Sequence, residues 1–321
     1  MCAPPALVSC QLRRVGLAAL EPQRTMISQT VTILGREPLA YSSTYLCEII
    51  TCRLADGCVR KLLAKRGSAC IEPSYGHRGG VPYEAEVYRR LLEPLGTSAP
   101  RFYDVQLDPA TGETTLVIDY LENATRLRST VPPPMVDAAR WAAVFHRLSE
   151  PRAAGLEGAI NRYDTDYYLG WMRRALELSP ERHRPWLQAI SRHFETLARE
   201  MITAPVTIIH GEYYPENILA CGGVIAPVDW ESAAIAMGEI DLATLTEDWS
   251  QEDNSACTSE YHRARWPGGA PLEFERRLAL ARLYLLFRWL GDRPEWVTGE
   301  RADGQFANLR RLGEQLGVLE T

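Results

Sequence analysis

The chain has 321 residues, of which 46% are hydrophobic and 24% are charged, as in ordinary globular proteins. Its 41 acidic and 35 basic residues give a net charge of −6, and no long block of like charge is present, which argues against electrostatic binding of nucleic acid. Even the most apolar segment, residues 278–290, is interrupted by arginine and is shorter than the roughly 18 to 20 residues that cross a bilayer. We therefore expect no nucleic-acid partner and no membrane span.

The first 25 residues differ in character from the rest of the chain. They make a poor signal peptide, because Arg13 and Arg14 split the apolar stretch and no charged segment precedes it. The eight cysteines of the whole chain contain no C-x2-C pair, so we interpret them as reduced packing residues. These features predict a cytoplasmic protein with a poorly ordered N-terminal extension over residues 1–25.

Residues 26–121 read as a sheet with one inserted helix. β-Branched and apolar segments predict strands, Asp56-Gly57 predicts a hairpin, and residues 101–121 predict two further strands around a turn. The helix is predicted at residues 83–96, with Glu84, Val87, Tyr88 and Leu91 on one face. The first three strands are predicted at 30–34, 44–54 and 58–65. Together these elements form an antiparallel five-stranded lobe.

Residues 122–321 read as mainly helical. Four segments carry apolar residues at helical spacing, and short extended pieces lie between them. The predicted helices are 135–150, 167–179, 184–202 and 272–291, and the extended pieces are 206–211, 218–221 and 224–230. The sequence therefore predicts an α+β fold with two lobes and a boundary near residues 120–123.

Lysine is scarce, and its positions are informative. Only two of the 35 basic residues, Lys61 and Lys65, are lysines. Arginine cannot replace lysine where a compact, rotatable ammonium group must fit among anionic oxygens. We expect one of the two lysines to have such a role, and Lys65 is the first choice, with Lys61 as the alternative.

The densest polar cluster lies in residues 208–234, within otherwise apolar sequence. Glu212 follows a strand, Asn217 lies where the chain turns into the next strand, and Asp229 ends the strand after that. A carboxamide oxygen and a carboxylate converging from two loops suit Mg²⁺, which takes few protein ligands together with phosphate oxygens and water. Asn217 and Asp229 are thus the candidate metal ligands, and the Glu212 carboxylate remains to accept a proton.

The motif His210-Gly211-Glu212-x4-Asn217, followed by Asp229-Trp230-Glu231, resembles that of the aminoglycoside phosphotransferase family. These are small-molecule kinases with a protein-kinase-like fold, and the resemblance spans roughly residues 30–290. It implies an ATP- and Mg²⁺-dependent phosphotransferase in which Glu212 is catalytic and Asn217 and Asp229 bind the metal. Phosphoryl transfer needs positioning and charge neutralisation more than covalent chemistry, which agrees with this set of residues.

The resemblance also implies a nucleotide site in the first lobe. Lys65 would bind the phosphates and would be oriented by Glu84, with Glu86 as the alternative partner. The remaining nucleotide-binding candidates are a hydroxyl-rich loop between the first two strands and the connection between the lobes. They are Ser42, Ser43 and Thr44 in the loop, and Asp119, Tyr120 and Leu121 in the connection.

The chain departs from the family pattern at one position. The family's usual residue at position 212 is aspartate, whereas this chain has glutamate. The added methylene moves the carboxylate by about 1 Å unless the loop retreats, and such a displacement can cost on the order of 100-fold in rate. Glu231, two residues after Asp229, is either a further acid of the site or a substrate contact.

The expected function is phosphorylation of a hydroxyl group on a small molecule. The acceptor class stays open among antibiotics, sugars, amino alcohols and nucleosides, as does the oligomeric state. The alternative is a kinase-like protein that binds nucleotide or metabolite with little or no turnover, because of Glu212. A protein kinase is disfavoured, because the first loop lacks the G-x-G-x-x-G signature.

Overall fold

The computed structural model describes residues 32–39, 45–55, 57–69 and 77–320. The predicted extension over residues 1–25 and the hydroxyl-rich loop Ser42 to Thr44 lie outside these residues. We refer to residues 32–119 as the N-terminal lobe and to residues 120–320 as the C-terminal lobe.

The N-terminal lobe contains the expected five-stranded antiparallel sheet, in the order β1-β2-β3-β5-β4. Its central strand, β3, lies between β2 and β5, and Lys65 is paired with Cys47 on one side and Leu116 on the other. The strands are β1 (Thr32–Pro38), β2 (Leu46–Arg53), β3 (Val59–Gly67), β4 (Phe102–Leu107) and β5 (Thr114–Asp119). The lysine thus projects from the middle of the sheet.

The inserted helix packs against this sheet. It begins as α1 (Gly80–Val87), widens into a π-helical turn (Tyr88–Leu92) and ends after Glu93–Leu95, where Gly96 adopts a left-handed conformation. The four residues expected on one helical face, Glu84, Val87, Tyr88 and Leu91, are all buried. Their spacing therefore predicted the buried face correctly.

The C-terminal lobe is mainly helical, and its four predicted helices are present. Its helices are α2 (Met135–Ser149), α3 (Thr165–Leu178), α4 (Arg184–Thr203), α5 (Glu239–Leu245), α6 (Gln251–Arg265), α7 (Phe274–Asp292) and α8 (Glu300–Gln315). Helix α6 was not predicted, because it is too polar to show a clear apolar stripe. Helix α8 was not predicted either, although its buried residues Ala302, Phe306 and Leu309 have helical spacing.

Two small sheets carry the polar segment 208–234. In one, β10 pairs with β9, and β9 pairs with β6; in the other, β11 lies between β7 and β8. These short strands are β6 (Thr125–Arg126), β7 (Asn161–Arg162), β8 (Val206–Ile209), β9 (Ile218–Cys221), β10 (Val224–Pro227) and β11 (Ala234–Met237). The loop after β8 and the loop after β10 therefore leave strands that are anchored in the C-terminal lobe.

Apolar packing joins the two lobes. One buried cluster contains Val81 and Leu91 from the α1 region, Leu116 from β5, and Phe145 and Trp230 from the C-terminal lobe. Burial of such large side chains contributes roughly 1.5 to 3 kcal/mol each. Of the helices in the described ranges, none combines the length and the apolar composition of a membrane span.

Candidate active site

Lys65 occupies the centre of an ion-pair chain that crosses from one lobe to the other. Its Nζ lies 2.6 Å from Glu84 Oε2 and also contacts Asp229 Oδ1. Burial disfavours the charged ammonium, but the two carboxylates outweigh this effect and raise the pKa of Lys65 well above its ordinary value. Glu84 Oε1 accepts a hydrogen bond from the backbone N–H of Trp230 at 3.1 Å. The sheet, α1 and the loop after β10 are thereby fixed to one another.

The contacts distinguish Lys65 and Glu84 from the two alternative residues, Lys61 and Glu86. Lys61 lies at the surface and pairs with Glu122 at 3.0 Å. Glu86 pairs with Arg89 and Arg90 on the exposed side of the helix. Lys65 and Glu84 are the members of each pair that reach the cleft between the lobes.

Asn217 directly precedes β9 and Asp229 follows β10, so both lie at the open end of the β9–β10 hairpin. The backbone N–H of Val228 donates to the carbonyl of Asn217 at 2.9 Å, which places the two residues side by side. Asp229 has φ +69°, a left-handed conformation that is costly for a residue other than glycine and is frequent at functional sites. The side chain of Asp229 is 38% exposed, so it can be reached from the cleft.

The chemistry of this pair fits a magnesium ion. The side-chain Nδ2 of Asn217 donates to the carbonyl of Glu212 at 3.0 Å, which directs the amide so that Oδ1 remains as a ligand. Among the described residues, no three His, Cys, Asp or Glu side chains form a metal-binding group. An ion here would rest on Asn217 and Asp229 and complete its shell with phosphate oxygens and water, as Mg²⁺ commonly does.

Glu231 lies beside this pair and connects it to the N-terminal lobe. Its Oε2 accepts a hydrogen bond from the Tyr45 hydroxyl at 2.8 Å, and its carbonyl accepts one from the N–H of Gly79 at 2.8 Å. Burial and the neighbouring Asp229 carboxylate raise the pKa of Glu231 to about 7, although Lys65 opposes the rise. The carboxyl is therefore partly protonated near neutral pH.

The loop that carries Glu212 is held by buried polar contacts. Asp241 accepts hydrogen bonds from the backbone N–H groups of His210 and Gly211, at 2.7 and 3.0 Å, and contacts His146 Nε2 at 3.0 Å. The ring of His210 contacts the carbonyl of Val228 at 2.9 Å. These contacts agree with structural roles for both histidines.

Gly211 is required by the close packing of this loop. It has φ +82°, and a Cβ atom added to it would lie 2.1 Å from the carbonyl oxygen of Ser232. The backbone before Glu212 therefore packs directly against the backbone after Asp229. This contact limits how far the Glu212 and Asp229 carboxylates can move relative to each other.

Glu212 is buried within a group of basic side chains that were not predicted from the sequence to belong to the site. Its Oε1 lies 2.7 Å from Arg78 Nη2, 3.3 Å from His77 Nε2 and 3.5 Å from Arg288 Nη1. All three contacts fall on Oε1. No described residue donates a hydrogen bond to the other oxygen, Oε2.

The basic neighbours determine the protonation of Glu212. Burial alone would raise its pKa, but the hydrogen bond from His77 and the charges of Arg288 and Arg78 hold the pKa well below its ordinary value. Burial, aided by Arg288, lowers the pKa of His77 to about 4, so this imidazole is neutral near pH 7. Because a carboxylate only accepts, Nε2 of His77 carries the proton, and Nδ1 is left as an acceptor that the hydroxyls of Tyr163 and Tyr167 approach to 3.1 and 3.0 Å.

The sequence contained a sign that Arg288 is buried and paired. It lies in the apolar helix α7 and is 1% exposed, and a buried arginine requires a partner. Besides Glu212, it contacts the hydroxyl of Tyr214. The sequence cannot show which carboxylate it pairs with, since Glu212 is 76 positions away along the chain.

The connection between the lobes follows β5. The N–H of Asp119 donates to the carbonyl of Arg101 at 2.9 Å, and the N–H of Tyr120 donates to the carbonyl of Lys61 at 3.2 Å. The carbonyl of Leu121 accepts from Ala124 at 3.3 Å. Asp119 and Tyr120 thus lie beside Leu62 and Lys61 of β3, the strand that carries Lys65, and Leu121 belongs to the turn that follows.

Solved structures with this fold include several small-molecule kinases. A choline/ethanolamine kinase family protein from Mesorhizobium loti is 18% identical, with a TM-score of 0.56 and 94% of each chain covered. LicA, a choline kinase from Streptococcus pneumoniae, in complex with AMP is 16% identical, with a TM-score of 0.54 and coverage of 91% of this chain and 95% of that one. An aminoglycoside-3'-phosphotransferase of type VIII is 20% identical, with a TM-score of 0.51 and coverage of 79% and 94%. At these identities the likeness establishes the fold.

The family is established by sequence. No protein with a curated description matches the chain. The sequence profile of the phosphotransferase enzyme family, however, matches residues 69–274, which include Glu84, Glu212, Asn217 and Asp229. The chain therefore belongs to the phosphotransferase enzyme family, and it has the two-lobe, protein-kinase-like fold.

Proposed function

We propose that the protein is an ATP- and Mg²⁺-dependent kinase that phosphorylates a hydroxyl group of a small molecule. The observation that carries this proposal is the contact of Lys65 with both Glu84 and Asp229. A lysine held between a helix glutamate and a metal-binding aspartate is suited to hold nucleotide phosphates next to the metal. A structure of LicA, which has the same fold, was solved in complex with AMP, and this supports the use of a nucleotide by this chain.

Each polar group has a distinct task in this proposal. ATP supplies the phosphoryl group, and Mg²⁺ neutralises phosphate charge. Asn217 and Asp229 hold the ion, Lys65 holds phosphate oxygens, and Glu84 keeps the ammonium group in place. Ser42, Ser43 and Thr44 supply hydroxyls and backbone N–H groups to phosphates, and Asp119, Tyr120 and Leu121 flank the nucleotide base.

Glu212 orients the acceptor in this proposal. Its Oε2 accepts a hydrogen bond from the acceptor hydroxyl while Oε1 stays bound to its basic neighbours. With a low pKa it is a weak base, but a loose transition state needs little proton transfer before the new P–O bond forms. As that bond forms and the bond to ADP breaks, the hydroxyl proton passes to Oε2 and then to solvent.

An assay of acceptor-dependent ADP release tests this function. Purified wild-type protein is given ATP, Mg²⁺ and a panel of aminoglycosides, other antibiotics, sugars, amino alcohols, hydroxy acids and nucleosides. We expect ADP release that requires both Mg²⁺ and one class of acceptor. Binding of ATP without acceptor-dependent release from any class would favour the alternative, a kinase-like nucleotide-binding protein.

A further inference from the structure

A three-residue segment of the N-terminal lobe reaches both loops of the candidate active site. His77, Arg78 and Gly79 directly precede α1. His77 Nε2 and Arg78 Nη2 lie 3.3 and 2.7 Å from Oε1 of Glu212. The backbone N–H of Gly79 donates to the carbonyl of Glu231 at 2.8 Å. Side chains of one lobe thus contact the carboxylate of Glu212 in the other lobe.

The imidazole of His77 is held on its other side by tyrosines of the C-terminal lobe. Its Nδ1 lies 3.1 Å from the hydroxyl of Tyr163 and 3.0 Å from that of Tyr167. The hydroxyl of Tyr167 lies 2.7 Å from that of Tyr284. The rings of Tyr163 and Tyr167 are stacked with their centres 3.8 Å apart, and His77 is 2% exposed. The imidazole therefore cannot turn without breaking contacts between buried polar atoms.

His77 and Arg78 hold Glu212 in different ways. Arg78 makes the shorter contact, but its side chain is 28% exposed and has more rotatable bonds than that of histidine. His77 contacts Glu212 with one ring nitrogen while the other ring nitrogen faces the tyrosines. Because the ring is rigid, the tyrosines fix the place of Nε2, and Nε2 in turn restrains Oε1 of Glu212.

A glutamate at position 212 needs such a restraint more than an aspartate does. Its additional rotatable bond gives the carboxylate more conformations, so that ordering it costs more conformational entropy. A reacting group that is misplaced by about 1 Å can lose on the order of 100-fold in rate. The two oxygens of a carboxylate are rigidly connected. A contact that restrains Oε1 of Glu212 therefore also restricts where Oε2 can lie.

We propose that His77 is a positioning residue for Glu212, which it holds by Oε1 so that Oε2 meets the hydroxyl of the acceptor. This inference rests on the proposed kinase function, because it concerns the carboxylate that orients the acceptor. His77 itself touches neither the acceptor nor the nucleotide and acts only through Glu212. Its replacement should therefore change kcat and leave the KM for ATP unchanged.

Two amide variants of His77 separate positioning from packing. The amide nitrogen of glutamine takes about the place of Nε2, so His77→Gln keeps a donor for Oε1 of Glu212. Asparagine is shorter and has its amide near the place of Nδ1, so His77→Asn reaches the tyrosines but not Glu212. The control is His193→Asn, which replaces an exposed histidine on α4. Acceptor-dependent ADP release gives kcat and KM for each protein, and urea unfolding shows whether each is folded.

The two variants should differ in turnover. His77→Asn should lower kcat at least about tenfold at an unchanged KM for ATP, whereas His77→Gln and His193→Asn should stay within about threefold of wild type. Wild-type kcat in folded His77→Asn, or equal losses in both variants of His77, would overturn the positioning role and leave the kinase function standing. If wild type releases ADP with no acceptor, the kinase function itself fails, and the positioning role fails with it.

NMR of the imidazole nitrogens tests the contact with Glu212 without any turnover and without the asparagine variant. The signals of His77 are identified by their absence from His77→Gln. Near pH 7 they should show a proton on Nε2 and none on Nδ1, and Glu212→Gln should shift the Nε2 signal. The control Glu216→Gln changes an exposed glutamate that pairs with Arg128 and should leave the signal in place. A proton on Nδ1 in place of Nε2, or no response to Glu212→Gln, would overturn the proposal.

Discussion

Lys65 and Glu84 form a buried ion pair of 2.6 Å, and Glu84 also accepts a hydrogen bond from the backbone of Trp230 in the other lobe. One carboxylate therefore holds both the proposed phosphate-binding lysine and the backbone directly after Asp229, the proposed metal ligand. The position of the ammonium group is consequently coupled to the position of Asp229.

Replacing Lys65 by arginine should lower turnover by about 100-fold or more. The planar guanidinium cannot fit into the space between Glu84 and Asp229 that the ammonium group occupies, although the charge is retained. The matched control is Lys61→Arg, because Lys61 pairs with the exposed Glu122 at the surface of the same strand. Acceptor-dependent ADP release checks both variants. Normal turnover by Lys65→Arg together with loss of turnover by Lys61→Arg would show that the wrong lysine was chosen.

Asp229 should be essential for Mg²⁺-dependent turnover while contributing little favourable energy to folding. Asp229→Ala and Asp229→Gly both remove the carboxylate that we propose binds the metal, so neither variant should turn over substrate. Glycine adopts φ +69° without strain, whereas alanine does not, so the glycine variant should be about 1 kcal/mol more stable. Urea unfolding measures the difference. Substantial turnover by either variant would exclude Asp229 as the principal metal ligand.

Gly211→Ala should be much more destabilising than Gly223→Ala. Both glycines have almost the same positive φ, +82° and +81°, so each alanine incurs a similar penalty for that angle, about 1 to 2 kcal/mol. At position 211 the new Cβ would also meet the carbonyl of Ser232, whereas at position 223 no atom lies within 4 Å. We expect an additional loss of about 2 kcal/mol or more for Gly211→Ala in urea unfolding. Equal losses would mean that the two loops do not pack as described.

Glu231 should make the protein less stable as the pH rises toward neutrality. Its pKa is about 7 in the folded protein and 4.5 in its ordinary state, so the folded chain binds more protons between these values. The contribution of Glu231 to the free energy of unfolding therefore falls as pH rises from about 4.5 to 7, by up to about 3 kcal/mol, and levels off above pH 7. Glu231→Gln lacks this titration, so its stability relative to wild type should increase over that range. Urea unfolding at a series of pH values measures the difference, and a constant difference would contradict the prediction.

The sequence predicted those parts of the fold that depend on local pattern. The alternation in β3 and the helical spacing of Glu84, Val87, Tyr88 and Leu91 located the sheet and its packed helix. The choice of Lys65 and Glu84 came from the family resemblance, and the scarcity of lysine supported Lys65. Helix α6 was not predicted because its composition is polar. Tertiary contacts, and not an amphipathic pattern, stabilise it.

The basic neighbours of Glu212 could not be predicted in the same way. His77 and Arg78 lie in a glycine- and proline-rich stretch without periodicity, more than 130 positions before Glu212. Arg288 lies in an apolar helix that followed the helical pattern whether or not the arginine had a partner. The approach of these side chains to one carboxylate oxygen depends on how the lobes and helices pack, and no local signal encodes it.

The most direct test of the account is the effect of Glu212→Gln on acceptor-dependent ADP release. Glutamine preserves the size of the side chain but removes the charge that orients the hydroxyl, so kcat should fall by about 100-fold or more at unchanged ATP affinity. Glu216→Gln is the control, because Glu216 is exposed and pairs with Arg128. Glu212→Asp should remain well below wild type, because the basic cluster is arranged around the longer side chain. Wild-type turnover by Glu212→Gln would contradict the account, and so would an inactive wild type in which Glu212→Asp creates activity.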